Sequence, residues 1–352
     1  MLIRNFKFGA SLLQNSVATQ ESDQTIYAAL DLGTNNCRLL VARSSENGFK
    51  ILDAFSRIVR LGEGVSSSGT LSEQAIHRTL DALRVCKAKM LNRGVSRSRL
   101  IATEACRIAC NGGVFIERVH DELGLILEVI DRGTEAHLAA AGCVALADPE
   151  AEGVILFDIG GGSSEVVYLD KTESKPSAGS HSVRDWVSMP VGVVNMAERF
   201  GGRSLTREAF DEIVKHVQEL LKPFAVSLNS GTHAKKFHLL GTSGTVTTLA
   251  GVHLNLPRYD RRSVDGIWME RAEIDRVLNR LLAMNYSELV ASPCIGQDRA
   301  DLVLAGCAIF EGIRSLFPAD RIRRADRGLR EGILMQMIAE DKLDSRLRSA
   351  VA

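Results

Sequence analysis

Short apolar runs, each closed by a small polar or glycine-bearing turn, set the rhythm of the first part of the chain. Ile26 to Gly33, IYAALDLG, has the length and bounding glycine of a buried strand. Arg38 to Ser44 follows after a tight Thr-Asn-Asn-Cys turn, and FKILDAFSRIVRLGEG gives a third strand that ends in a glycine loop. Residues 26 to 58 therefore predict three consecutive antiparallel strands. The period then lengthens to that of a helix: Ile76, Leu80, Leu83, Met90 and Leu91 form the apolar positions, Ser72 stands as N-cap and Gly94 as terminator. Leu100 to Arg107 reads as a returning strand, Phe115 to Leu123 as a helix, and LILEVI as a last strand of this half.

The plan then starts again. GVILFDIGGGSSEVVYL, Gly153 to Leu169, repeats the order of IYAALDLGTNNCRLLVA: apolar strand, aspartate, one apolar residue, glycine, small polar turn, second strand. The recurrence of this arrangement, at Asp31 and at Asp158, predicts two similar lobes. The second half continues with a polar loop over Lys171 to Ser182, a strand around Trp186 to Met189 and a helix from Thr206 to about Leu228. Strand, glycine turn and helix follow over Phe237 to Leu254, then helices near Arg271 to Met284 and Arg299 to Leu316. A last helix opens at Gly328. The expected division is a disordered tail over 1–24, a first lobe over 25–131 and a second over 132–326, with the stretch 327–344 packing back on the first lobe.

Composition narrows the class. The 352 residues suit two domains, 45% are apolar, and the formal net charge is zero, so no global field draws the chain to duplex nucleic acid or an acidic membrane. No apolar stretch reaches the roughly 18 residues of a membrane span. The segment before Tyr27 lacks a signal-peptide core. The seven cysteines contain no C-x-x-C pair and read as buried thiols, which fits the cytoplasm. None of the eight histidines has metal-ligand spacing.

Any anion site must be local, and three turns offer one: Gly33-Thr34-Asn35, Gly160-Gly161-Gly162-Ser163-Ser164, and Gly241-Thr242-Ser243-Gly244-Thr245. Glycine lets the backbone approach an anion and aim its N–H groups inward, and the hydroxyls of Thr34, Ser163 and Ser243 add donors. The third turn opens a helix, whose N-terminus favours a negative group. Asp31 and Asp158 stand beside these turns. Carboxylates close to phosphate oxygens make sense as ligands of a divalent cation, and hard oxygen donors suit Mg²⁺; the alternative is that each aspartate caps its own turn. RIRRADRGLR, Arg321 to Arg330, holds five arginines in ten residues. It reads either as a lining for a polyanion path, with Arg93, Arg97 and Arg99 extending it, or as a solvated basic turn.

DLGTNN, ATEACRIA, GTEAHL, FDIGGGSSE, GTSGT, DRADLVLAG and DRGLREGIL occur in the order expected of the exopolyphosphatase/guanosine pentaphosphate phosphatase family, and the chain resembles that family over about residues 26 to 335. The resemblance implies an α/β fold of two actin-like (ribonuclease H-like) lobes, of the superfamily that holds acetate and sugar kinases, heat-shock ATPases and actin. It implies a phosphohydrolase that releases terminal orthophosphate from inorganic polyphosphate or guanosine pentaphosphate. It also implies Glu135 as general base, Arg107 as a phosphate-contacting arginine and Glu165 as a second active-site carboxylate. Thr134 departs from the pattern by replacing the first of two glutamates, and Thr34 stands where serine is common. Longer relatives carry further helical domains after this core. Which substrate is preferred stays open, as does the oligomeric state, with a homodimer among the options. Two rival readings are an actin-like or heat-shock-type ATPase or sugar kinase, and a non-catalytic sensor that binds guanosine alarmones.

Overall fold

The computed structural model of the chain describes residues 25–46, 48–172, 181–231, 237–258 and 260–351. The segment 1–24 and residues 173–180 of the stretch read as a loop lie outside them. β1 (Ile26–Leu32), β2 (Asn36–Ser45) and β3 (Gly48–Ile58) form an antiparallel meander, and β4 (Arg97–Ala102) and β5 (Glu128–Val129) add in parallel on the other side of β1. The order is β3-β2-β1-β4-β5. The second sheet is built from β6 (Gly153–Ile159), β7 (Ser164–Lys171), β8 (His181–Met189), β9 (Phe237–Thr242), β10 (Trp268–Glu270) and β11 (Arg321–Arg324). Its order, β8-β7-β6-β9-β11-β10, repeats the first with one antiparallel strand added at the far edge. β1 and β6 are central in their sheets, which is why both are nearly continuous apolar runs.

The helix Glu73–Asn92 begins where Ser72 Oγ accepts from Ala75 N at 3.2 Å. Ile76, Leu80, Leu83 and Met90 face the core, whereas Leu91, one position round, is exposed. Several boundaries differ from expectation. The strand read over Leu100 to Arg107 stops at Ala102, and Glu104–Ile108 is a short helix. Thr103 N closes the ladder on Leu32 O at 3.1 Å. The Cys106 carbonyl then lies against Gly112, where a Cβ would meet it at 2.1 Å. Only two residues of LILEVI pair as a strand. β7 and β8 take residues at both ends of the expected loop. A helix over Val193–Phe200 went unread, the helix expected from Arg299 starts at Val303, and the last helix runs longer, Leu329–Val351.

That last helix crosses from the second sheet to the first. Leu329, Ile333, Leu334 and Met337 share a core with Tyr27, Ala29, Leu40 and Ala42 of β1 and β2. It also lies against the helix Arg132–Cys143 with almost no gap: a Cβ on Gly332 would fall 1.9 Å from Leu138 O, and one on Gly142 would fall 2.1 Å from Gly328 O. Among the described residues no helix is long and apolar enough to cross a membrane, and all seven cysteines are free.

Candidate active site

The β1–β2 and β6–β7 turns close in the same way. Gly33 N donates to Asn36 O at 2.9 Å and Gly160 N to Ser163 O at 3.0 Å. They also face each other across the crevice between the lobes. A Cβ on Gly161 would lie 2.9 Å from Thr34 Cβ and 3.0 Å from Asn35 N, and one on Gly162 would lie 2.7 Å from Thr34 Oγ1. Glycine here answers a need for close approach between two backbones. The third turn is compressed into one residue: β9 ends at Thr242, the helix Ser243–His253 begins at once, and Ser243 takes φ of 74°. A non-glycine residue in the left-handed region is held there by its surroundings, a condition that concentrates at functional sites.

These turns line one cavity together with Asp31, Asp158, Glu135, Glu165 and Glu104. Asp31, Glu135 and Asp158, drawn from two sheets and a helix, thus share a wall. Asn35 Oδ1 on that wall is buried and has no hydrogen-bond partner among the described residues.

Glu135 sits in the first turn of Arg132–Cys143, whose N-cap Asp131 accepts from Thr134 N at 2.9 Å and from Thr134 Oγ1 at 2.6 Å. The threonine that departs from the family pattern therefore serves the cap. Glu135 Oε2 accepts from Arg107 Nη2 at 3.0 Å. Burial, with the nearby Glu165 charge, still raises the Glu135 carboxyl well above the usual range, against the opposing pull of Arg107. Burial and the Asp158 charge push Glu165 up to about 7, although Ser188 Oγ donates to its Oε1 at 2.8 Å. Asp158 is pushed up to about 6 by burial, with Arg38 pulling down and Asp31 pushing up. Burial also raises Asp31, against the charges of Arg38 and Arg330. Four carboxyl groups crowded in one low-dielectric crevice call for a cation or proton to share.

A scan against family models matches residues 40–341 to the Ppx/GppA phosphatase family. The chain belongs to the Ppx/GppA phosphatase family. Solved structures agree. The Aquifex aeolicus member of the Ppx/GppA family is 29% identical, with 90% of this chain and 98% of that chain covered and a TM-score of 0.72. An exopolyphosphatase from Cytophaga hutchinsonii is 25% identical, covering 90% of this chain and 98% of that one at a TM-score of 0.80. As in its Ppx/GppA relatives, the chain is a mixed α/β protein of two actin-like lobes, and its coarse activity is that of a phosphatase.

Within this Ppx/GppA frame the structure brings together Asp31, Gly33, Thr34, Asn35, Glu135, Asp158, Gly160, Gly161, Gly162, Ser163, Glu165, Ser243, Gly244 and Thr245. Three expected residues stand elsewhere. Gly241 lies inside β9, where a Cβ would strike the Phe157 ring at 2.6 Å and Val246 at 2.7 Å, so it answers core packing. Ser164 is buried and donates to Val191 O at 2.6 Å. Arg107 is off the cavity wall, and its donors go to Glu104, Glu135 and Ile130 O. The buried Glu104 was missed by the sequence reading. It accepts from Arg107 Nη2 at 2.6 Å and Arg132 Nη2 at 2.7 Å. Burial opposes its charge, yet the two arginines hold its carboxyl below the usual range. Its signal was an acid in the first turn of a helix that had been read as strand.

The arginine-rich segment is mostly committed. Arg321 and Arg323 stack on Trp268, Arg324 pairs with Asp326 and Arg327 with Asp265, while Arg327 and Arg330 line a second cavity that adjoins the first. Arg93, Arg97 and Arg99 pair with Asp53, with Glu340 and Asp341, and with Glu128.

Proposed function

We propose that this Ppx/GppA phosphatase releases terminal orthophosphate from inorganic polyphosphate or guanosine pentaphosphate by attack of water in the crevice between its lobes. The observation that carries the reading is the sharing of one cavity by Glu135, Asp31, Asp158 and the opposed glycine turns. Glu135 takes a proton from the attacking water. Its raised affinity for a proton suits a base that works near neutral pH, a role worth about 10²- to 10⁴-fold in rate. As the water oxygen bonds to the terminal phosphorus, the bond to the bridging oxygen breaks and the shortened chain leaves with the electron pair. Amides of Gly161 and Gly162 and of the Ser243 helix start stand ready for the phosphate oxygens, where charge gathers in the transition state. Arg107, gripped by Glu104, orients Glu135 from behind.

The donor set fits Mg²⁺ as substrate-bound Mg²⁺ is commonly held, by one or two carboxylates with waters and phosphate oxygens completing the shell. Asp31 and Asp158 would be those carboxylates, and the unsatisfied Asn35 amide oxygen would be a further hard donor on the same wall. Among the described residues no cluster of three or more acidic, histidine or cysteine side chains forms a closed metal cage. When bound, the ion supplies positive charge to the phosphate oxygens. The seven free thiols support a reducing, cytoplasmic setting for this activity.

A phosphate-release assay on polyphosphate, guanosine pentaphosphate and ATP with Mg²⁺ tests the reading. Glu135→Ala is expected to lose at least about 100-fold in kcat with modest change in KM. Equal activity in this variant removes Glu135 from its role; turnover of ATP alone removes the substrate class.

A further inference from the structure

One loop touches both halves of the crevice. Residues 59–62 lie on the back of the first phosphate turn: Val59 N and Arg60 N both donate to Asn35 O, at 2.9 and 3.0 Å, and Gly62 N donates to Thr34 O at 2.9 Å. A Cβ on Gly62 would fall 2.3 Å from Thr34 Cγ2, so loop and turn are in direct contact. Arg78 fixes the loop from below, its Nε donating to Val59 O at 3.0 Å. Arg60 itself takes φ of 48°, a backbone state unfavourable for a residue with a long side chain.

From that strained position the Arg60 side chain crosses to the second lobe. Nη1 donates to Asp301 Oδ2 at 2.8 Å and Nη2 to Asp301 Oδ1 at 3.0 Å, a two-pronged pair, and Nη2 also donates to Asp298 O at 3.2 Å. Both side chains are mostly shielded, at 28% and 17% exposure, so the pair escapes much of the screening that weakens surface pairs. Asp301 is itself fixed, since a Cβ on Gly202 would lie 2.2 Å from its carbonyl oxygen. Arg299, between the two gripped residues, lines the cavity. Four residues along the loop, Gly64 N donates to Glu198 Oε1 of the second lobe at 2.8 Å.

We infer that Arg60 and Asp301 are a positioning pair for the hydrolysis proposed above: together they hold the Thr34–Asn35 turn in register with the Gly161–Gly162 turn and with Arg299. The pair acts through these groups and does not touch the phosphate. This inference rests on the hydrolase reading for its kinetic effect and on cross-lobe geometry alone for its structural effect.

A double-mutant cycle tests it. Arg60→Ala and Asp301→Asn are each expected to lower kcat/KM for phosphate release from polyphosphate by about 10- to 100-fold, mainly through kcat, with the double variant no worse than the worse single. Arg60→Lys, which keeps the charge but loses the fork, recovers part of the loss. Amide hydrogen exchange without substrate is the second readout: residues 33–36 and 59–64 exchange about 10-fold faster in each single variant and no faster in the double. Additive kinetic losses, or unchanged exchange in those loops, overturn the pair's role. A wild-type protein that releases no phosphate overturns the hydrolase reading, and the exchange cycle then still decides whether the pair registers the turns.

Discussion

The hairpins β1–β2 and β6–β7 share a plan down to the hydrogen bond that closes each turn, yet they differ across the ladder from their aspartates. Opposite Asp31 stands Arg38; opposite Asp158 stands Glu165. In the first lobe the cross-strand charge relieves the acid, opposing the rise that burial imposes on Asp31. In the second it adds to the crowding, and Asp158 helps push Glu165 up to about 7 after burial has done most of the work. Two copies of one frame thus meet the same crevice with different charges facing their aspartates across the ladder, a guanidinium in the first and a second carboxyl in the second. A repeated backbone predicts where functional groups converge; the residue across the ladder from each aspartate sets the charge that each copy adds there.

Making the second hairpin copy the first should have the largest effect. Glu165→Arg is expected to reduce phosphate release by at least about 10³-fold, because it puts a cation beside Asp158 where the crevice holds a carboxyl. A variant that folds and retains activity within tenfold would remove the distinction between the hairpins. Neutralising the aspartates sharpens it next. Asp158→Asn and Asp31→Asn should each cost about 100-fold in rate. In metal-free protein at pH 7.5, however, Asp158→Asn should raise the thermal midpoint. The Asp158 carboxyl titrates near 3.8 when unfolded and at about 6 when folded, so the folded state holds its proton longer. Stability from that proton is fully present below about pH 4 and is lost as pH rises through 6, on the order of 3 kcal/mol. The advantage of Asp158→Asn should accordingly vanish below pH 4 and shrink when Mg²⁺ is added, which calorimetry across pH with and without chelator would show. In the wild type, the rate should climb between pH 6 and 7 as Asp158 and Glu165 ionise. The smallest effect tests the contact between the turns: Gly161→Ala should cost about tenfold in kcat/KM by pressing a methyl group onto Thr34 and the Asn35 amide.

Much of this arrangement is readable from residue order. The buried strands announce themselves because β1 and β6 are covered on both faces, and the twin D-x-G turns betray the duplication. What stayed hidden depends on packing and register. Gly241 resembles the other turn glycines in its motif, but the ring of Phe157 is its reason. LIATEACR is apolar enough to pass for an unbroken strand, so the helix that begins at Glu104, and with it the grip of Glu104 on Arg107, was lost. Arg38 could not be paired with Asp31 before the ladder was aligned. Arg60 could not be singled out by residue order, since its partner lies 241 residues further on. The arginine-rich segment illustrates the converse: its charges, conspicuous in one dimension, are largely spent on Trp268, Asp265 and Asp326.

The helix Leu329–Val351 is the last element described, yet it covers β1 and β2 and seats, glycine against carbonyl, on the helix that carries Glu135. Synthesis proceeds from the other terminus. A nascent polypeptide paused before residue 329 would own every acid of the crevice while leaving the support of Glu135 bare to water. Phosphatase competence should therefore arrive abruptly, only once that helix has emerged and seated, and a chain cut before residue 329 should lack it.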